Sequence, residues 1–226
     1  MSRHPEARPI IMDLNPNSPI SESYRKLRTN LQYAEVDRPL QMLMVTSASP
    51  HEGKTTTVNN LAVAYAQSEK SVLLIDADLR KPTAHHSFRL SNRVGVTSIL
   101  SGQKRIIEAI QDTRIPNLKV MTAGPIPPNP SELLGSKRMD GLLQELREMY
   151  DIVLVDTPPV LAVSDAQIVS TRCDGVLLVI NSKRVKRQFA VKARDALLFV
   201  KARIVGVALN QVPTNEAYPY YEYSSN

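Results

Sequence analysis

The chain carries one cysteine, Cys173, in 226 residues. A single thiol supports neither a disulfide framework nor a cysteine-based zinc site. Long apolar runs are also missing. The longest, such as Ile204–Leu209, fall far short of the roughly 18 residues that a membrane-crossing helix needs. The N-terminus, Met1-Ser-Arg-His-Pro5, has no apolar signal region, so the expected compartment is the cytoplasm. Intrinsic disorder is excluded by the opposite measure. A chain with 42% hydrophobic and 22% charged residues has the ordinary composition of a folded domain. Its length suits one α/β domain with its own core and is too short for two large ones.

Two features are unevenly placed. Of eight tyrosines, four (Tyr218, Tyr220, Tyr221 and Tyr223) lie in the last nine residues. The formal charge is +6, yet Lys183–Arg203 alone holds eight basic residues and one acidic residue. The rest of the chain is therefore close to neutral, and the basicity is one patch.

Residues 1–20 carry Pro5, Pro9, Pro16 and Pro19 among polar residues and read as an extended arm. A helix is expected over Ser21–Glu35, with Ser21 as its N-cap. Short runs rich in β-branched residues follow at Leu43–Thr46, Val72–Ile75, Leu118–Met121, Ile152–Val155, Val176–Ile180 and Ile204–Leu209. Segments with helical spacing lie between most of them, at Thr55–Gln67, Gly141–Met149 and Lys186–Phe199. Continuous apolar strands alternating with helices predict a three-layer α/β domain with a mostly parallel central sheet and helices on both faces. The domain is expected to span 21–212, with a flexible tyrosine-rich tail over 213–226.

The first apolar strand runs into Ser47-Ala-Ser-Pro-His-Glu-Gly-Lys-Thr55, and a helix is expected next. Strand, loop and helix in this order make a P-loop, where backbone N–H groups and the helix N-terminus cradle phosphates. The candidate nucleotide-binding residues are Ser49, Pro50, His51, Glu52, Gly53, Lys54, Thr55 and Thr56. Lys54 would neutralise the β/γ-phosphates and the Thr55 hydroxyl would bind Mg²⁺. Of the two glycines in the strict pattern, one is replaced by Ala48. The second strand ends at Asp76-Ala-Asp78-Leu-Arg80, and the fourth predicted strand ends at Asp156-Thr-Pro-Pro159. Both point carboxylates to the sheet edge where ligands bind. A carboxylate there can hold Mg²⁺, accept a proton from an attacking hydroxyl, or cap the following helix. Spacing alone does not divide these roles between Asp76 and Asp78.

These residues resemble the bacterial tyrosine kinases (BY-kinases) of capsule and exopolysaccharide export. The resemblance rests on six ordered motifs. A modified Walker A reads Thr46-Ser-Ala-Ser-Pro-His-Glu-Gly-Lys-Thr55, and a second acidic motif reads Ile75-Asp76-Ala-Asp78-Leu-Arg80. A Walker B motif reads Val155-Asp156-Thr-Pro158, and a proline-rich stretch covers Gly124–Leu134. Glu22, Arg25 and Arg28 form a Glu-x-x-Arg-x-x-Arg motif, and the tyrosines close the chain. One departure is His51, where the family usually has glycine; a positive φ there would strain a histidine mildly.

The resemblance implies autophosphorylation of tyrosine with ATP and Mg²⁺. Lys54 and Thr55 would hold phosphates and metal, Asp78 and Asp156 would organise Mg²⁺, and Asp76 would orient or deprotonate the incoming tyrosine. Glu22, Arg25 and Arg28 would lie at the interface of a homo-oligomeric ring. Tyr218, Tyr220, Tyr221 and Tyr223 would then be phosphorylated in trans by a neighbouring subunit. The chain resembles the split type of the family, cytoplasmic and recruited to the inner face of the membrane by a separate transmembrane adaptor. Cellular protein substrates and a tyrosine phosphatase are further implied partners. Asn210, after the last apolar run, is either an adenine-reading amide as in related P-loop folds or a turn asparagine.

Arg187, Arg194 and Lys201 recur every seven residues, and Phe189, Ala193, Ala196 and Val200 make a separate apolar stripe expected to pack on the sheet. The basic stripe is either a solvated face or a docking surface for anionic lipid or an adaptor segment. Nucleic acid is not expected, because no aromatic interleaving accompanies the charge. His85 and His86 have no third ligand partner and read as surface or loop residues. Two other functions fit the same fold: a partitioning or septum-placement ATPase, and a nucleotide-binding adaptor without kinase activity. The former carries an extra P-loop lysine where this chain has Ser49. The latter would not need Lys54 and all three aspartates.

Overall fold

The computed structural model describes residues 9–34 and 40–213. Seven strands form one sheet: β1 (Met42–Ser47), β2 (Val72–Asp76), β3 (Ile110–Asp112), β4 (Leu118–Met121), β5 (Ile152–Asp156), β6 (Gly175–Asn181) and β7 (Ile204–Asn210). Their order across the sheet is β3-β4-β2-β5-β1-β6-β7. All neighbouring pairs are parallel except β3 with β4. Every residue of β1, β2, β5 and β6 is buried, which is why these strands read as unbroken apolar runs and not as alternating ones.

Successive side chains point to opposite faces, so each strand feeds two cores. Leu43, Val45, Leu74 and Leu154 pack beneath α1 (Ile11–Leu14), α2 (Pro19–Tyr33) and α3 (Lys54–Ala66). Met44, Ile75, Val155 and Leu178 pack on the other face. That face is covered by α5 (Val96–Leu100), α7 (Pro130–Leu134), α8 (Lys137–Met149), α9 (Asp165–Ser170) and α10 (Arg187–Phe199). Two short helices, α4 (Ala84–Phe88) and α6 (Ile106–Ala109), lie in the connections between β2 and β3. The three-layer architecture expected from the sequence is present. In α8, Met139, Leu142, Leu143 and Leu146 are buried at helical spacing. Each such side chain contributes roughly 1.5–3 kcal/mol by leaving water.

Four local expectations change. The chain over 9–20 is not extended: Ile11–Leu14 form a helical turn, Met12 is fully buried, and its N–H donates to Asn60 Oδ1 at 3.0 Å. Helix α2 starts at Pro19, capped by Ser18, whose hydroxyl accepts from the Ser21 N–H at 3.1 Å. Proline at the first helical position suits this start, since its missing N–H would have no partner there. Ser21 lies inside the helix and donates to the Asn15 carbonyl at 2.7 Å. Lys201 is off the basic helical stripe, because α10 ends at Phe199 and Lys201 has φ 58°. The apolar stripe of α10 buries Ala193 and Leu197, while Phe189 stays 38% exposed. Among the described residues no helix is long and apolar enough to cross a membrane.

Candidate active site

The loop between β1 and α3 sits at the carboxyl edge of the sheet, with β5 and β6 on either side of β1. Two residues give it its turn. Gly53 has φ 94° and His51 has φ 66°. The conformation at Gly53 favours glycine, and a Cβ there would have to push the Asn210 amide aside, since it would lie 2.0 Å from Asn210 Nδ2. His51 adopts the positive φ that the family glycine suggested and faces solvent. Ser49 is half-buried and Pro50 is exposed on the loop, and Thr55 and Thr56 begin α3.

Glu52 acts inside this loop. Its side chain is 2% exposed, and its carboxylate accepts from the Ser49 N–H and, at 3.1 Å, from the Asn181 N–H. Burial raises its pKa against those bonds. Glu52 thus staples the loop to the end of β6. Asn210 closes the other side: its amide donates to the Glu52 carbonyl at 2.9 Å, and its Oδ1 accepts from the Gln211 N–H at 2.9 Å.

Four functional groups converge at the start of α3. Lys54 Nζ lies 3.2 Å from both Asp78 Oδ2 and Asp156 Oδ1. Thr55 Oγ1 donates to Asp156 Oδ2 at 2.6 Å. Burial disfavours the Lys54 charge, but Asp156, Asp78 and Asp76 outweigh it and hold its pKa above the ordinary value. Burial raises the Asp156 pKa in spite of Lys54 and Thr55.

Asp76 stands behind this cluster. Its Oδ2 accepts from the Thr83 and Ala84 N–H groups, both at 3.0 Å, and its Oδ1 accepts from the Asp78 N–H at 3.2 Å. It therefore caps the first turn of α4 and shapes the loop that carries Asp78. Complete burial, with Asp156 nearby, raises its pKa to about 7.

The donor set is hard oxygen from Thr55, Asp78 and Asp156, which suits Mg²⁺. Among the described residues no group of three or more His, Cys, Asp or Glu makes an all-protein metal site. Mg²⁺ takes one or two carboxylates and completes its shell with phosphates and water.

Arg80 extends the site outward. Its guanidinium forks onto Asp165, at 2.8 and 3.0 Å, and reaches Ser131 Oγ at 3.0 Å. Ser131 in turn donates to Asp165 Oδ1 at 2.6 Å. The Asp165 side chain is fully buried. The loop after β2 is thereby tied to α7 and α9. Sequence reading missed Asp165, because one acidic residue at a helix start looks like an ordinary first-turn charge.

The oligomer motif is only partly surface. Glu22 and Arg25 pair at 3.1 Å, and Arg25 also reaches the Pro16 carbonyl at 2.7 Å. Arg28 turns inward and donates to the Ala64 carbonyl of α3 at 2.9 Å. The His85 and His86 rings lie tilted against each other with centroids 3.9 Å apart. Tyr218, Tyr220, Tyr221 and Tyr223 lie outside the described residues.

A family model described as an AAA domain matches residues 51–198. Tyrosine-protein kinase YwqD of Bacillus subtilis is 48% identical over 221 residues, covering 97% of this chain and 93% of its own. The chain belongs to the bacterial tyrosine-protein kinases. Tyrosine-protein kinase etk of Escherichia coli K12 is 38% identical over 94% of this chain but only 30% of its own length. Among solved structures, the chimerical protein CapA2B2 superposes with a TM-score of 0.88 at 39% identity, over 92% of this chain and 95% of that one. In this tyrosine kinase the P-loop, both acidic strand ends and the basic Lys54 meet within hydrogen-bonding distance, except for Asp76, whose oxygens are taken by backbone N–H groups.

Proposed function

We propose that this kinase transfers the γ-phosphoryl group of ATP to its own C-terminal tyrosines, in trans within a homo-oligomer, and so regulates capsule or exopolysaccharide synthesis and export. The observation that carries the reading is the Lys54 ammonium held 3.2 Å from both Asp78 and Asp156 at the N-terminus of α3. Loop N–H groups and Lys54 bind the phosphates, in the manner of other P-loop enzymes. Thr55, Asp78 and Asp156 would hold Mg²⁺, which supplies neutralisation of charge on the transferring group. The tyrosine oxygen bonds to the γ-phosphorus as the bond to the ADP oxygen breaks. Asp76 takes the hydroxyl proton, which requires the loop after β2 to release one of its two oxygens. Asn210, whose amide donates to the Glu52 carbonyl, buttresses the loop.

Glu22 and Arg25 are proposed to meet a neighbouring subunit, with Arg28 setting the helix that carries them. The kinase would be cytoplasmic and drawn to the inner face of the membrane by a transmembrane adaptor. The similarity to CapA2B2 is consistent with such a partner.

Incubation with ATP and Mg²⁺, with and without a candidate adaptor's cytosolic segment, followed by phosphopeptide mapping, tests the reading. Tyrosine phosphate is expected on residues 218–223 and absent in Lys54→Met. Turnover of ATP with an unmodified tail would point to a switch ATPase instead.

A further inference from the structure

The sheet ends in an edge strand that its covering helix leaves half open. Helix α10 packs against α9 and β7, and β7 carries Val207 and Leu209 at 55% and 63% exposure. Both sit on the α10 face of the sheet, paired in register with Leu178 and Ile180. Between α10 and β7 runs a groove of about 360 Å³. Leu178 and Val207 are among the residues of its floor, Val191 and Leu198 among those of its helical wall, and Arg187 and Arg194 also line it. Arg187 makes no ion pair among the described residues, and Arg194 pairs only with its exposed neighbour Asp195. That pair is solvated and weak. Asp195 is also the one acidic residue against eight basic ones in Lys183–Arg203. An apolar slot with arginine on one wall fits a ligand of aromatic rings bearing negative charge.

One segment of this chain has that chemistry and the reach. Residues 214–226 hold four tyrosines, Glu216 and Glu222, and no basic residue. The segment starts just past β7, which ends at Asn210. Val207 lies three strand residues back, about 10 Å, whereas thirteen extended residues span about 43 Å. Each phosphate on tyrosine would add roughly −1.5 to −2 charge and oxygens that arginine binds bidentately.

We propose that the α10–β7 groove is the docking site of the chain's own tail, residues 214–226, and that it holds the phosphorylated tail more tightly than the unmodified one. The inference rests on the reading that the tail tyrosines are phosphorylated. It gives the product a place to go: phosphorylation moves the tail from a neighbour's acidic site to its own basic groove. Because tail and groove share one chain, the high effective concentration makes even weak contacts sufficient.

The test uses the full chain with phosphotyrosine at positions 220 and 221 installed by semisynthesis, so that a failed kinase assay leaves the result readable. Amide hydrogen exchange over 187–199 and 204–210 is compared with the unmodified chain. Exchange at least tenfold slower in the phosphorylated chain is expected, and Arg187→Glu/Arg194→Glu with the same tail should abolish the slowing. Equal exchange in both forms, or slowing that survives the double substitution, overturns the proposal. Slowing that grows with protein concentration assigns the groove to a second copy and overturns it too. So does slowing that appears only with vesicles containing phosphatidylserine, which assigns the groove to the membrane surface.

Discussion

Glu52 shows how one side chain can serve a site without touching its chemistry. A carboxylate in a phosphate loop looks out of place, since it repels the ligand. Its burial and its bonds to the Ser49 and Asn181 N–H groups explain it: the charge is spent on the loop's own donors. Glu52→Ala should cost about 1–3 kcal/mol by leaving those donors unpaired. It should also raise KM for ATP more than it lowers kcat, because the loop loses its anchor to β6. Thermal unfolding and steady-state kinetics check both. An unchanged KM would mean that the loop keeps its shape without the staple. His51 is the milder case, an exposed histidine at φ 66°, and histidine is among the residues least penalised there.

At the scale of elements, the loop after β2 is the most heavily tied connection. Asp76 fixes its two ends, and Arg80 clamps it to α7 and α9 through Asp165 and Ser131. The two partners of this clamp are unequal. The Asp165 side chain is fully buried, whereas that of Arg80 is 39% exposed. Arg80→Ala should therefore cost about 3–5 kcal/mol, since it strands a buried carboxylate. Asp165→Ala leaves a guanidinium that water can reach and should cost about 1–3 kcal/mol. Denaturant unfolding of the two variants checks the order. Equal losses would show that the pair matters only as packing.

For the whole molecule, the balance of charge at the sheet's carboxyl edge predicts a dependence on ligand. Asp78, Asp156 and, behind them, Asp76 face one lysine, leaving excess negative charge that a divalent cation must offset before the phosphates of a nucleotide can enter. Mg²⁺–ADP at a hundred times its Kd should stabilise the fold by about 2.7 kcal/mol, raising Tm by roughly 5–10 °C for a domain of this size. Chelation with EDTA should remove most of that rise. A rise of the same size with EDTA present would show that the nucleotide binds without the metal.

The amino-acid sequence by itself determined the layers and the chemistry. Continuous apolar runs such as Val72–Ile75 and Ile152–Val155 can be buried on both sides only between two layers of helices, and a glycine-lysine-threonine turn after the first strand, Met42–Ser47, leads into a helix N-terminus. What it left open were contacts between residues far apart in the chain. Spacing could not divide Asp76 from Asp78, because both stand at one strand end. Packing gives them different contacts: Asp76 meets the N–H groups of residues 83 and 84, while Asp78 meets Lys54. Nor could it find the short antiparallel β3, whose three residues carry too little pattern, or the bridge from Asp165 to Arg80 across 85 residues. Period and propensity are local properties of a chain. Which carboxylate is buried, and against which donor, is set only when the sheet brings distant strand ends together.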